Sequence, residues 1–201
     1  MRTAHAVTTV QVIRPRRSAA PARHRTRAAL VRTTRQPVIR AASAEDVDAI
    51  HRLIDQHVAD GRLLPRRREE IAVHVSRFIV ATVGRRVVAC VDLAPLSRTV
   101  AEVRSLVVSD EMRSRGVGRR LVDELTARAA GAGFQTLCAF THAAGYFVHM
   151  GFSIVPHTWL PEKIDADCRS CAQFRTCGQY AVMLPLVRAR QSCVPLTSLH
   201  A

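Results

Sequence analysis

The chain has 201 residues, 48% of them hydrophobic and 23% charged, which allows one domain with a substantial core and fits a soluble globular protein. No apolar run approaches the roughly 18 residues that cross a bilayer, and no apolar stretch marks a secretory signal. The net charge of +14 points first to nucleic acid, but residues 1–42 hold ten arginines and no acid, which leaves +4 for the remainder. Aromatic residues are 4% of the chain and none lies in that basic arm, so a base-stacking surface is unsupported. Lys163 is the only lysine among 30 basic residues, an arginine bias that fits genomic base composition. Six cysteines without a secretory signal fit a reducing, cytoplasmic setting.

Residues 1–37 show neither helical nor strand period and read as a disordered leader. An acid-free, Arg-rich leader also fits an organelle transit peptide, and an untargeted extension is the other reading. The folded domain is expected over residues 38–187, with a tail over 188–201. Val38 to Arg40 reads as a strand. Ser43 offers an N-cap with Glu45 and Asp46 in the first turn, where the helix dipole favours anions. Val47, Ile50, Leu53, Ile54 and Val58 recur at helical spacing, and Gly61 ends that helix. A second helix fits Glu69 to Phe78, with Ile71, Val75 and Phe78 on one face. Strands follow at 78–83, 86–94 and 100–109, punctuated by Gly84 and by Pro95 with Ser97. A helix over 117–131 buries Val117, Leu121, Leu125 and Ala129. Then come a strand from Thr136 to Thr141, a short helix from Ala143 to Met150, a strand from Gly151 to Val155 and a last strand from Gln179 to Val187. This order predicts an α/β fold with a mixed central sheet, flanking helices and a Cys-rich C-terminal loop.

One segment carries a specific chemistry. The strand ending Leu106-Val107-Val108 runs into Arg113-Ser114-Arg115-Gly116-Val117-Gly118-Arg119-Arg120, which opens the central helix. The first turn of a helix has unpaired N–H groups and a partial positive charge. Two glycines there let a phosphate approach the backbone, and the arginines attract a polyanion. The pattern lacks the Lys-Ser/Thr of a P-loop and the three glycines of a dinucleotide fold.

Arg-x-x-Gly-x-Gly between a strand and an amphipathic helix resembles the acetyl-CoA pyrophosphate motif of the GNAT superfamily. Tyr146-Phe-Val-His-Met-Gly-Phe152 is similar to that family's aromatic helix leading into Gly-Phe and a strand. The resemblance implies that acetyl-CoA is the co-substrate, held by Leu106, Val107, Val108 and residues 113–119. Further pieces, Gly61-Arg-Leu-Leu-Pro-Arg66, Ala101-Glu-Val-Arg-Ser-Leu106 and Leu160-Pro-Glu-Lys-Ile164 with Asp167-Cys-x-x-Cys171, resemble small bacterial N-acetylglutamate synthase-like proteins. That likeness implies acetylation of the α-amine of glutamate on the way to arginine. Another small amine, a protein N-terminus and a non-catalytic acyl-CoA sensor are the alternatives, and so, from another class, is a nucleic-acid module using the basic arm. A homodimer follows by family analogy alone.

The reaction must take a proton from an ammonium, so a carboxylate near the acyl carbon is needed. In the superfamily an acid just before the loop commonly serves, which points to Glu102. The family's tyrosine, the acid for the departing thiolate, falls at Phe147, so Tyr146 is the nearest candidate, with Thr141 or water as alternatives. Arg104 shares a strand face with Glu102 and suits a substrate carboxylate, as does Arg66. Cys168, Cys171 and Cys177 leave two readings open, a structural zinc and reduced or redox thiols. Cys90 and Cys138 sit in apolar strands and read as core.

Overall fold

The computed structural model describes residues 36–58 and 63–186. The expected leader, the expected C-terminal tail and Gly61 lie outside the described residues. Seven strands form a single mixed sheet in the order β1-β2-β3-β4-β5-β7-β6. They are β1 Val38–Ala41, β2 Phe78–Val83, β3 Arg86–Pro95, β4 Val100–Val108, β5 Thr136–Thr141, β6 Ser153–Val155 and β7 Tyr180–Pro185. All pairings are antiparallel except that of β4 with β5. The α/β class and the three-strand meander before the central helix are as the sequence predicts.

Helices cover both faces. The central helix α3, Val117–Gly131, buries Val117, Leu121, Val122, Leu125 and Ala129 against Ile79, Ala81, Val88, Ala89 and Val91. These are the i, i+4, i+8 and i+12 positions of an amphipathic helix, plus one neighbour. The other face carries α1, Val47–Asp55, and α2, Arg68–Val73. There Ile50, Ile54, Ile71 and Phe78 are almost fully buried with Val80 and Cys90. Each such side chain contributes about 1.5–3 kcal/mol on burial. A third cluster, Val100, Cys138, Val155, Leu160 and Ala181, lies towards the C-terminal strands.

Several elements differ from expectation. The second helix stops at Val73 rather than reaching Phe78, and a 3-10 turn, Val75–Arg77, follows. The reason is Asp92, which is fully buried on β3 opposite Phe78. Arg77 forks onto it with bonds of 3.0 and 2.8 Å, which a continued helix would not allow. The strand after Gly151-Phe152 is also shorter, beginning at Ser153. In the segment expected to be irregular, a short helix α5, Pro161–Lys163, continues as a π-helical turn, Ile164–Cys168.

The entry to α1 is fixed by charge. Asp46 accepts bonds from Arg40 at 2.7 and 2.8 Å and from the Ser43 N–H at 2.8 Å. The Arg40 bond, with the Ser43 bonds, outweighs burial and draws the Asp46 carboxyl down from 3.8 to about 2. A depressed folded-state pKa stabilises above the unfolded value and is lost as pH falls through the folded one. Asp46→Asn is therefore expected to be less stable than wild type at pH 7, with the difference shrinking between about pH 4 and about pH 2. Urea titrations across that range check it, and a pH-independent difference would refute the clamp.

Candidate functional site

The sheet parts between β4 and β5. Their parallel pairing covers Val100–Thr136, Ala101–Leu137 and Glu102–Cys138, and goes no further. Beyond Glu102 the β5-facing edge of β4 is open. The β3–β4 register also slips there, since Asp92 faces Arg104 while Cys90 faces Val107. Ser105 takes the extra position with φ of 52°, an unusual value for a residue with a side chain. This bulge turns the last residues of β4 along a cleft of about 740 Å³.

One wall of the cleft is Leu106, Val107 and Val108, and the far wall is Phe140, Thr141 and His142. Its floor is the start of α3, with Arg113, Ser114, Gly116, Val117, Gly118 and Arg119. The loop expected to bind phosphate therefore does line a cleft. Gly116 is the N-cap of α3 at φ of 73°, a left-handed conformation that a side chain strains, and nothing stands within 4 Å of where a Cβ would be. The cradle is thus open at the positive end of a 15-residue helix, which suits a pyrophosphate. Arg113 pairs with Asp110 at 2.9 Å and Arg119 lies 3.8 Å from Asp123, both largely exposed. Arg120 turns away and donates to the Pro37 carbonyl at 3.2 Å, tying α3 to the start of β1.

Gly118 and Tyr146 meet in a way the sequence does not foretell. A Cβ at Gly118 would lie 2.5 Å from the Tyr146 hydroxyl. Tyr146, on α4, Ala144–Val148, thus sits over the first turn of α3, while Phe147 is buried in the core against Phe152. Partial burial, with Asp123 nearby, raises the Tyr146 phenol, so it stays protonated near neutral pH. The one-residue offset between Tyr146 and Phe147 thus places the hydroxyl beside Gly118 and the plain phenyl ring in the core.

Glu102 is 3% exposed, at the last paired residue before the sheet parts. Its Oε2 accepts from Arg104 Nε at 2.9 Å and Nη2 at 2.5 Å, and Lys163 Nζ reaches both carboxylate oxygens at 2.7 and 2.8 Å. Lys163 in turn bonds Asp167 at 2.7 Å, and Arg104 bonds the same Asp167 oxygen at 2.5 Å. Burial alone would raise the Asp167 carboxyl, but Lys163, Arg104 and Arg66 more than offset it and hold it below the usual range. Arg66 is the next member, with its side chain 9% exposed. It lies 2.8 Å from Glu70, 3.6 Å from Asp92 and 3.5 Å from the Ser105 hydroxyl, while its buried Nε has no partner among the described residues.

So the structure joins Glu102, Arg104 and Arg66 in one neighbourhood, and adds Lys163 and Asp167. Neither of these was assigned there from sequence. The only lysine in an arginine-rich chain was the available signal, a compositional exception. The zinc reading finds no support: among the described residues no three His, Cys, Asp or Glu side chains are set to hold one ion. Burial foremost, with Asp167, Cys177 and Cys171 adding to it, raises the Cys168 thiol despite Lys163. Cys90 and Cys138 are fully buried, their thiols pushed up to about 12, first by burial.

Comparison with known proteins agrees with this geometry. The family described as Acetyltransferase (GNAT) domain matches residues 74–154. An uncharacterized N-acetyltransferase of Chlorobaculum tepidum is 32% identical over 148 residues, which is 74% of this chain and 96% of that protein. The amino-acid acetyltransferase of Mycobacterium tuberculosis is 30% identical over 139 residues, 67% of this chain and 79% of its own length. The solved structure of N-acetylglutamate synthase from Neisseria gonorrhoeae, complexed with coenzyme A and N-acetyl-glutamate, superposes with a TM-score of 0.69 at 27% identity. That match covers 76% of this chain and 35% of the longer protein. The parted sheet, the glycine-turned helix and these likenesses agree, and the chain belongs to the GNAT superfamily of acetyl-CoA-dependent N-acetyltransferases.

Proposed function

We propose that this enzyme acetylates the α-amine of an acidic amino acid, glutamate foremost, a reaction that suits arginine biosynthesis. The observation that carries the reading is the pair of cations, Arg104 and Lys163, held on Glu102 where β4 and β5 part, with Arg66 acting on the same Asp167 that they share. A substrate with two carboxylates needs such cations. The amino-acid acetyltransferase relatives support the same substrate class.

Acetyl-CoA supplies an activated acyl carbon, and this chain supplies its surroundings. The amides at the start of α3 and the open turn at Gly116 hold the pyrophosphate, with Arg113, Ser114, Arg115 and Arg119 at its border. The open edge of Leu106, Val107 and Val108 offers backbone groups to the thioester arm, where an N–H polarises the carbonyl. Glu102 accepts the ammonium proton. Arg104 and Lys163 orient it and occupy both of its oxygens, so the transfer runs through a water or on release of one Glu102 contact. The seat of Tyr146 against Gly118 favours contact with the cofactor over proton delivery to the thiolate, and water beside Thr141 serves that step.

Two variants separate the parts. Glu102→Gln keeps the shape but cannot accept a proton, so turnover, followed as free thiol released from acetyl-CoA with glutamate, is expected to fall by about 10²–10⁴. The loss shrinks at high pH, where more amine arrives neutral, and affinity for acetyl-CoA is retained. Normal turnover at pH 7 would remove Glu102 from the mechanism.

Gly118→Ala sets a methyl group against the Tyr146 hydroxyl. Overpacking of this kind costs about 1–3 kcal/mol, so affinity for acetyl-CoA is expected to drop about tenfold or more. Adding Tyr146→Phe removes the obstructing oxygen and restores most of it. Calorimetric titration checks both, and a single variant that binds like wild type would contradict the contact.

A further inference from the structure

The ion network around Glu102 has one member unlike the others. The Glu102, Lys163 and Arg104 side chains are 4%, 12% and 23% exposed, whereas Asp167 is 40% exposed. Asp167 nonetheless bridges two of the best-buried cations, presenting a single oxygen to Arg104 and Lys163 together. Its backbone comes from a five-residue π-helical turn, closed by the Arg169 N–H to Ile164 carbonyl bond at 3.2 Å. Short helical pieces of this kind have little stability of their own. The carboxylate is therefore free to leave for water at small cost, while the cations it covers are not.

We propose that Asp167 is a resident stand-in for a substrate carboxylate, and that Arg104 and Lys163 exchange it for a carboxylate of the incoming acidic amino acid. The inference rests on the substrate class argued above and assigns Lys163 to that site as a specificity-determining residue. Charge supports the exchange. Arg66, Arg77, Arg104 and Lys163 face Glu70, Asp92, Glu102 and Asp167, so the closed cluster is neutral. Withdrawal of Asp167 leaves one positive charge in excess, and an acidic amino acid, net −1 as it arrives, restores balance. A neutral amino acid does not. Arg66 supplies an independent sign of a ligand: nine-tenths buried, within the field of Asp167, it carries a buried Nε with no partner among the described residues. Isolated donors of this kind cost free energy unless a ligand or water satisfies them.

An internal occupant taxes the ligand by the fraction of time it holds the site. Asp167→Asn should therefore lower the KM for glutamate, and tighten glutarate, a dicarboxylate without an amine, by about three- to tenfold each. Asp165→Asn, on the same turn but paired with exposed Arg169, should change neither. A second measurement needs no variant. Because Lys163 is the only lysine, lysine-labelled protein gives one side-chain resonance, and glutarate should shift it in the wild type. Glutamate acetylation with KM unchanged or raised in Asp167→Asn, and a Lys163 signal unmoved by glutarate, overturns the exchange and leaves the substrate class standing. If no acidic amino acid is acetylated while glutarate still moves Lys163, the substrate class falls and the exchange survives.

Discussion

The parting of β4 from β5 is the constraint on which the rest of this structure depends. A parallel pair of three residues is too short to be stable alone, so the sheet is held together on either side, by the long β2–β3–β4 meander and by β7 between β5 and β6. Past Glu102, the outer edge of β4 has backbone donors and acceptors that no strand satisfies. Buried groups of that kind need partners, so a split sheet is tolerable where a ligand with its own amides and carbonyls is to lie. The bulge at Ser105 and the left-handed turn at Gly116 then follow from geometry. The first bends β4 along the cleft, and the second aims the start of α3 at its floor.

Charge is handled in two ways on the two sides of that split. At the phosphate loop the arginines are exposed and paired only with neighbouring acids. They attract a polyanion from a distance and are screened by salt. Around Glu102 the charges are buried, and there burial costs as much as attraction returns. A buried network of this kind adds little to stability over an apolar core of the same volume. On the function proposed above, the network serves recognition: guanidinium and ammonium groups fixed by their neighbours distinguish a carboxylate from an isosteric amide. Asp92 extends the same logic into the scaffold, because it shortens α2 and holds both Arg77 and Arg66.

Much of this was legible in the sequence, for physical reasons that differ by element. Strands β2 to β5 are mostly apolar runs bounded by turn residues, and α3 repeats its apolar positions at helical spacing, so their limits could be read within a residue or so. The glycine turn that opens α3 was legible because glycine punctuates a strand–helix junction where a left-handed residue is needed. The illegible parts depend on partners distant in the chain. Lys163 meets Glu102 across 61 residues, from a three-residue helix and a π turn that have no period to detect. The end of α2 depends on Asp92, 15 residues past Arg77. The displacement of Tyr146 from Phe147 is one step on a helix, about 100°, yet it decides which side chain enters the core and which covers the loop.

Gly118 illustrates why motif and mechanism should be kept apart. From sequence, its missing side chain seems to make room for phosphate, in the same way as that of Gly116. In the fold, the two glycines meet different demands. Gly116 needs its backbone conformation, since φ is 73° and the space beside it is empty. Gly118 is helical and unstrained, but the space its Cβ would fill belongs to the Tyr146 hydroxyl. A substitution at the first is penalised by strain even with no neighbour, and at the second by a neighbour even with no strain. The two-glycine motif thus records one constraint on the chain's path and one on its packing. The second links α4 to the cofactor cleft, so the aromatic helix and the phosphate loop, which look like independent signatures along the sequence, act as a single contact in the folded protein.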